Sequence, residues 1–191
     1  MEKKISAIIP AFNEESNIDV VIKKAQKCEL VKEVIVVDNL STDKTEEVIQ
    51  KYLEDSRIKY FINEKNLGIS GTRNRLIDLS QGEYLAVMDH DDISLPKRFE
   101  KQVEFLDKNL DVGVVASWYE EFPKTKIVKY PTNDFDIKVN LMQNCALLHP
   151  ASMIRKSVLT RNNLKYEADF SPAEDYCLWI RLIKLTKFAN I

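Results

Sequence analysis

Glycine is scarce in this chain, with 4 in 191 residues, well under the usual share of about 7%. The dinucleotide-binding fingerprint needs three closely spaced glycines directly after the first strand. Gly68 and Gly71 stand much further along, which disfavours a nicotinamide-type Rossmann enzyme. Cysteine is equally sparse: Cys28, Cys145 and Cys177 are odd in number and lack metal-type spacing, so neither a disulfide framework nor a zinc site is expected. All three read as structural thiols of a reducing compartment. Long apolar runs are missing as well; no stretch of about 18 such residues occurs, and the first residues carry no apolar leader core. The expectation is a cytoplasmic chain with no transmembrane segment, with peripheral membrane contact left open. Charge of one sign is also absent. With 28 basic and 30 acidic residues and a net charge of −2, there is no electrostatic footprint for nucleic acid.

What is present is an ordinary globular composition, 45% hydrophobic and 30% charged, long enough for one domain with a sizeable core. Strand-like and helix-like patterns alternate. The apolar run 5–9 precedes Ile18, Val21, Ile22 and Ala25 at the spacing of one helical face. The β-branched run 34–37 precedes Val48, Ile49, Tyr52 and Leu53 on a second helix. Residues 58–62 predict a third strand and 70–79 a third helix; 84–88 predict a fourth strand, before a helix carrying Phe99, Val103, Leu106 and Leu110. The expected class is α/β, a single Rossmann-like domain with a mostly parallel central sheet flanked by helices. Beyond a strand at 112–118 the pattern weakens. A loop at 130–134, a short helix at 135–142, an extended segment at 147–154 and a last helix opening at Ser171 are expected there.

The most informative stretch is 82–92, an apolar strand running straight into Asp89, Asp91 and Asp92. Carboxylates that close repel unless a cation sits among them, and a hard divalent ion is the simplest candidate. In open α/β sheets the carboxyl ends of strands are also where ligands bind. The competing reading is a solvated turn leading into a helix that starts near Ser94 and Pro96. It accounts for Asp92 and leaves Asp89 and Asp91 without a task.

Other positions point to the same edge. Asp38 directly follows the run 34–37, and the residues after it contain enough capping groups without it, so it is free to meet a ligand. Arg73 falls in the first turn of the third helix, where a cation is disfavoured unless an anion joins it. It is either half of a diphosphate clamp or a surface partner of Glu64 or Asp78. In the last helix, Ser171-Pro-Ala-Glu174 fits a capping box, which assigns Glu174 to structure. Asp175 shares a stripe with Leu178, Trp179 and Leu182. Two readings stand for it: an internal salt bridge, or a general base held at a helix N-terminus.

Five segments in order, Ile8-Ile-Pro-Ala-Phe-Asn-Glu-Glu15, Val36-Val-Asp-Asn-Leu-Ser-Thr-Asp-Lys-Thr45, Asn66-Leu-Gly-Ile-Ser-Gly-Thr-Arg-Asn74, Met88-Asp-His-Asp-Asp92 and Ala173-Glu-Asp-Tyr-Cys-Leu-Trp-Ile-Arg181, resemble the successive motifs of glycosyltransferase family 2. The resemblance runs from about Ile5 to Arg181. It implies the GT-A fold, a nucleotide-sugar donor, most simply a UDP-sugar, and inversion at the anomeric carbon. Carried over residue by residue, it implies that Pro10, Phe12 and Glu14 surround the nucleoside, that Asp38 meets the uracil and that Arg73 lies near the diphosphate. Asp89 and Asp91 match the family's Asp-x-Asp, which holds Mn²⁺ or Mg²⁺ on the diphosphate. Asp175 matches the general base. The nucleotide-binding part would span about 1–110 and the acceptor-side part about 111–191, the acceptor being a glycan, lipid or protein of unknown identity.

The chain departs from the family pattern at Leu40 and Leu76, both usual glycine positions. Trp118 and His149 offer an acceptor contact as one reading, and a core tryptophan and a hydrogen-bonded histidine as the simpler one. Residues 187–191 read as the start of a further strand. Family members usually continue past such a strand, so the acceptor-side part is expected to be incomplete at its C-terminus. An alternative to the transferase is a nucleotide-sugar-binding module with little transfer activity, part of a larger assembly.

Overall fold

The computed structural model describes residues 4–191. Its first half is built of βα units: β1 (Ile5–Ala11), α1 (Ile18–Gln26), β2 (Val31–Asp38), α2 (Thr45–Gln50), β3 (Ile58–Ile62), α3 (Gly68–Leu79), β4 (Tyr84–Val87) and α4 (Arg98–Lys108). The second half holds β5 (Val112–Ala116), β6 (Tyr119–Glu121), β7 (Lys126–Val128), α5 (Asp134–Leu141), β8 (Met153–Arg155), α6 (Lys156–Arg161), α7 (Glu174–Leu182) and β9 (Lys187–Asn190). Short 3-10 turns at His149–Ala151 and Ala168–Phe170 precede β8 and α7.

Seven strands form one sheet in the order β3-β2-β1-β4-β8-β5-β9. β8 runs antiparallel to both β4 and β5, and every other pairing is parallel. Both faces are covered, as a parallel sheet requires. Along β1 the side chains split by alternation: Ile5, Ala7, Ile9 and Ala11 pack with α1 and α4, while Ile8 packs with Leu76, Leu85 and Trp179 on the other face. Ile18, Val21, Ile22 and Ala25 are the buried face of α1, as their spacing predicts.

The expected class is the one found, and the strand expected at the C-terminal residues is β9. Several boundaries differ. α4 ends at Lys108, and Leu110 lies outside it, 78% exposed. β5 stops at Ala116, and a separate β6–β7 hairpin follows. Trp118 is not a core residue: it is 37% exposed, donates Nε1–H to the Tyr130 carbonyl at 2.9 Å and lies under Lys129. His149 is buried and bonded to Tyr166, as expected of a structural histidine. The cysteines are unpaired. No helix among the described residues is long and apolar enough to cross a membrane.

Candidate functional site at the carboxyl edge of the sheet

The strands β1, β2 and β4 end side by side, and their loops form the edge where α/β sheets take ligands. Register places Pro10 against Val37 and Ala11 against Asp38, so the tails of β1 and β2 leave the sheet together. Their loops are stitched to each other. Asn13 accepts the Thr42 N–H at 2.8 Å, and its own N–H goes to Ser41 Oγ at 2.9 Å. The Glu14 N–H bonds Thr45 Oγ1 at 2.7 Å. Leu40 takes a left-handed φ of 69°, strained for a residue with a branched side chain. Its departure from the family glycine is therefore real in the backbone. Leu76, the other departure, is fully buried core.

Pro10 is buried in β1 and Phe12 projects from the edge, 47% exposed. Glu14 is half-buried and meets His90 Nε2 at 2.9 Å, which joins the loop after β1 to the acidic loop after β4. Asp38 corrects its sequence reading. It is buried, one oxygen accepts Ser41 N–H at 2.8 Å and Ser41 Oγ–H at 2.7 Å, and the other accepts Tyr60 O–H at 2.9 Å. Both oxygens thus hold the turn, and Asp38 is not free of structural duty.

Arg73 lies in the second turn of α3, which opens at Gly68, rather than in its first. It pairs with neither Glu64 nor Asp78. It is 7% exposed, donates Nη1–H to Glu174 Oε1 at 2.8 Å, and donates Nη2–H to the two Asp89 oxygens at 3.2 and 3.4 Å. Its guanidinium also sits over Tyr166, 5.7 Å from the ring centre. The Tyr166 hydroxyl meets His149 Nε2 at 2.8 Å. Burial and then the Arg73 charge hold the His149 ring well below the ordinary imidazole value. Asn74 clamps the Tyr166 backbone in both directions, at 2.9 and 2.8 Å.

The capping box expected at 171–174 is not formed. The helix starts at Glu174 with Ala173 as its N-cap, and no side chain caps it. Glu174 is instead the buried carboxylate, 5% exposed, and Asp175 is half-buried, its Oδ1 accepting the Tyr176 N–H at 2.7 Å. Glu174 takes the buried place the stripe predicted for Asp175, because Arg73 pairs with it from α3.

Among the acids after β4, Asp89 is held by Arg73 and Asp91 faces solvent with a side-chain exposure of 70%. Loss of solvent, then repulsion from Asp91 and Asp89, raises the Asp92 carboxyl. Among the described residues no group of three or more His, Cys, Asp or Glu is placed to bind a metal by itself. An open carboxylate beside crowded ones suits a cation that takes its remaining ligands from phosphate and water. An open depression of about 350 Å³ lies elsewhere, between Asp111, Gly113, Arg155, Arg161 and Thr186. That is the opposite edge of the sheet, away from the acids.

Arg98 gave no sequence signal. It donates Nη2–H to the Val87 carbonyl at 2.8 Å and Nη1–H to that of Pro150, tying the last residue of β4 to the turn before β8. Burial lowers its guanidinium to about 10 in spite of Asp92 and Asp89. His90 had a signal that went unused: a histidine placed between Asp89 and Asp91.

The sequence profile described as Glycosyl transferase family 2 matches residues 6–163. The chain belongs to that family. An uncharacterised glycosyltransferase of Methanocaldococcus jannaschii is 35% identical over 161 residues, covering 78% of this chain and 53% of the relative. The Escherichia coli UDP-Glc:alpha-D-GlcNAc-diphosphoundecaprenol beta-1,3-glucosyltransferase WfgD is 29% identical over 94% of this chain and 70% of its own length. In fold, the chain is similar to S. aureus TarS residues 1–349 in complex with UDP-GlcNAc, with TM-score 0.84, 22% identity, and coverage of 98% of this chain and 56% of that one. The GT-A architecture is therefore shared, and the chain spans about half the length of the first of these family 2 relatives. One acid after β4 and one acid opening α7 are the two ends of the Asp89–Arg73–Glu174 chain.

Proposed function

We propose that this chain is the GT-A part of an inverting, metal-dependent glycosyltransferase that moves a sugar from a nucleotide-sugar, preferably a UDP-sugar, to an acceptor hydroxyl. The observation that carries the reading is the ion chain from Glu174 through Arg73 to Asp89, at 2.8 and 3.2 Å. It sets the helix bearing Asp175 against the acidic loop at the ligand edge. The UDP-Glc specificity in the name of WfgD and the UDP-GlcNAc bound in the TarS complex support the donor class.

Pro10 and Phe12 would form the wall for the nucleoside, with Glu14 behind them and Asp38 shaping the turn beside the base. Asp91, with Asp89, would hold Mn²⁺ or Mg²⁺, and Arg73 would lie along the diphosphate. When bound, the cation supplies positive charge against the departing diphosphate. Asp175, at the N-terminus of α7, takes the proton from the acceptor hydroxyl as that oxygen attacks the sugar from the face opposite the leaving group. A carboxylate half open to solvent at a helix start is reachable by an acceptor, as a base must be.

Thermal unfolding with UDP, GDP and no ligand, each in Mn²⁺ and in EDTA, tests this. UDP in Mn²⁺ should raise the midpoint, because a ligand that binds only the folded state stabilises it by mass action. EDTA should remove the shift. An equal shift in EDTA overturns the metal role, and a shift with GDP alone overturns the uridine preference.

A further inference from the structure

Glu174 has a task that the base beside it does not explain. We infer that Glu174 is a positioning residue, which acts through Arg73 to set Asp89 at the donor end of the site. The inference rests on the donor reading above.

Three features of the geometry carry it. The first is burial: the side chains of Arg73 and Glu174 are 8% and 7% exposed, and Asp89 is 21% exposed. The ion chain thus runs from the interior out to the ligand edge. The second is asymmetry. Arg73 meets Glu174 at 2.8 Å but reaches Asp89 by a split contact at 3.2 and 3.4 Å. The inner bond is short and single, and the outer one is long and shared. A cation arriving at the edge can draw Asp89 from the arginine, or a diphosphate can replace Asp89 on it, while Glu174 keeps the guanidinium in place. The third is incompleteness: Glu174 Oε2 and Arg73 Nε are buried without hydrogen-bond partners. A buried ion pair offsets its desolvation only when its remaining lone pairs and protons are satisfied, so this one is a poor device for stability alone. Tyr166 under the guanidinium, anchored by His149 and Asn74, confines the arginine further.

Calorimetric titration of UDP over a series of Mn²⁺ concentrations tests the inference on the whole chain, using wild type, Glu174→Gln, Arg73→Lys and the double variant, with the fold checked by circular dichroism. Glu174→Gln should weaken cation-dependent UDP binding by roughly 10- to 100-fold, the scale for losing a residue that orients a ligand-holding group. It should also raise the Mn²⁺ concentration required. Arg73→Lys should do likewise, since one ammonium cannot serve both carboxylates. The double variant should bind no worse than Arg73→Lys alone. Unchanged UDP affinity in a folded Glu174→Gln, or losses that multiply in the double variant, overturns the inference. A wild type that takes up no UDP overturns the donor reading itself. Should Glu174→Gln fail to fold, Glu174→Asp keeps the charge but draws it back by one methylene, and carries the same expectation and the same refutation.

Discussion

Two buried carboxylates sit at opposite edges of the same sheet, and they are held in different ways. Glu33, near the start of β2, is 1% exposed. Its Oε1 accepts Ser6 Oγ–H at 2.6 Å and Gln81 N–H at 2.5 Å, and its Oε2 accepts Lys59 at 2.6 Å. Gly82 lets the chain pass there, for a Cβ would stand 2.5 Å from the Ser6 nitrogen. Glu174, at the ligand edge, is buried to a similar degree yet leaves one oxygen without a partner and shares its arginine with Asp89, whose side chain is 21% exposed. A satisfied carboxylate locks strands together. A half-satisfied one keeps charge where something else can use it.

If that contrast is right, changes at the ligand edge should strike turnover and binding, and changes at the opposite edge should strike stability. The largest effect belongs to Asp175→Asn, which keeps the shape but cannot accept a proton. Sugar transfer should fall by roughly 10²- to 10⁴-fold in a single-turnover assay, the scale for a lost general base, with UDP affinity and unfolding midpoint nearly unchanged. Full transfer in that variant would place the base elsewhere. UDP binding with no transfer even in wild type would make the chain a binding module.

Glu33→Ala comes next and should do the reverse. Denaturant unfolding should show a loss of about 2–3 kcal/mol, because the buried Ser6 hydroxyl is left without its acceptor and the part-buried Gln81 N–H loses its own, while the partly exposed Lys59 contributes less. UDP affinity of the folded fraction should stay put. A binding defect of the size expected for Glu174→Gln would erase the distinction between the edges.

The smallest effect is a pH dependence, and the edges should divide it into separate windows. His149 lies behind the ligand edge with its folded value well below 6.5, so on acidification the unfolded chain takes the proton first. Stability that is full above pH 6.5 should fall below it, by about 1 kcal/mol between pH 7 and 5.5. His149→Phe should flatten that stretch of the curve. For Glu33, burial would raise the carboxyl, but the bonds from Lys59, Ser6 and Gln81 more than offset it and hold it below 4.5. Its contribution is present above about pH 4.5 and is lost only as pH falls further. A His149→Phe curve as steep as wild type between pH 7 and 5.5 would show that the ring is not held neutral.

The first half of the fold was legible because each βα unit carries its own period: Ile18, Val21, Ile22 and Ala25 face inward whatever lies across the sheet. The hairpin at 119–128 and α6 were not, and β8 only as part of the extended segment at 147–154, these being short elements fixed by partners distant in sequence. The same limit applied to the site. The acids after β4 announced themselves by crowding within a few residues. Glu174 was misjudged because its partner Arg73 lies 101 positions away; for Asp38 the Tyr60 partner is 22 positions away, but the Ser41 bonds are local and within reach of the sequence. Local grammar offered Glu174 a capping box at 171–174, and a long-range ion pair overrode it.

The antiparallel strand β8 has a consequence for how the chain assembles. Strands β1 to β4 find all their mutual partners within residues 5–87, so that part of the sheet can close as it leaves the ribosome. β5 is already made by residue 116, but it pairs only with β8 and β9, which begin at residues 153 and 187. The growing polypeptide therefore carries Val112, Val114 and Val115 with both edges open while several dozen further residues are synthesised. Unpaired apolar strand edges recruit other chains. The vulnerable moment in this protein's life is that interval of translation, and faster delivery of residues 153–155 would shorten it.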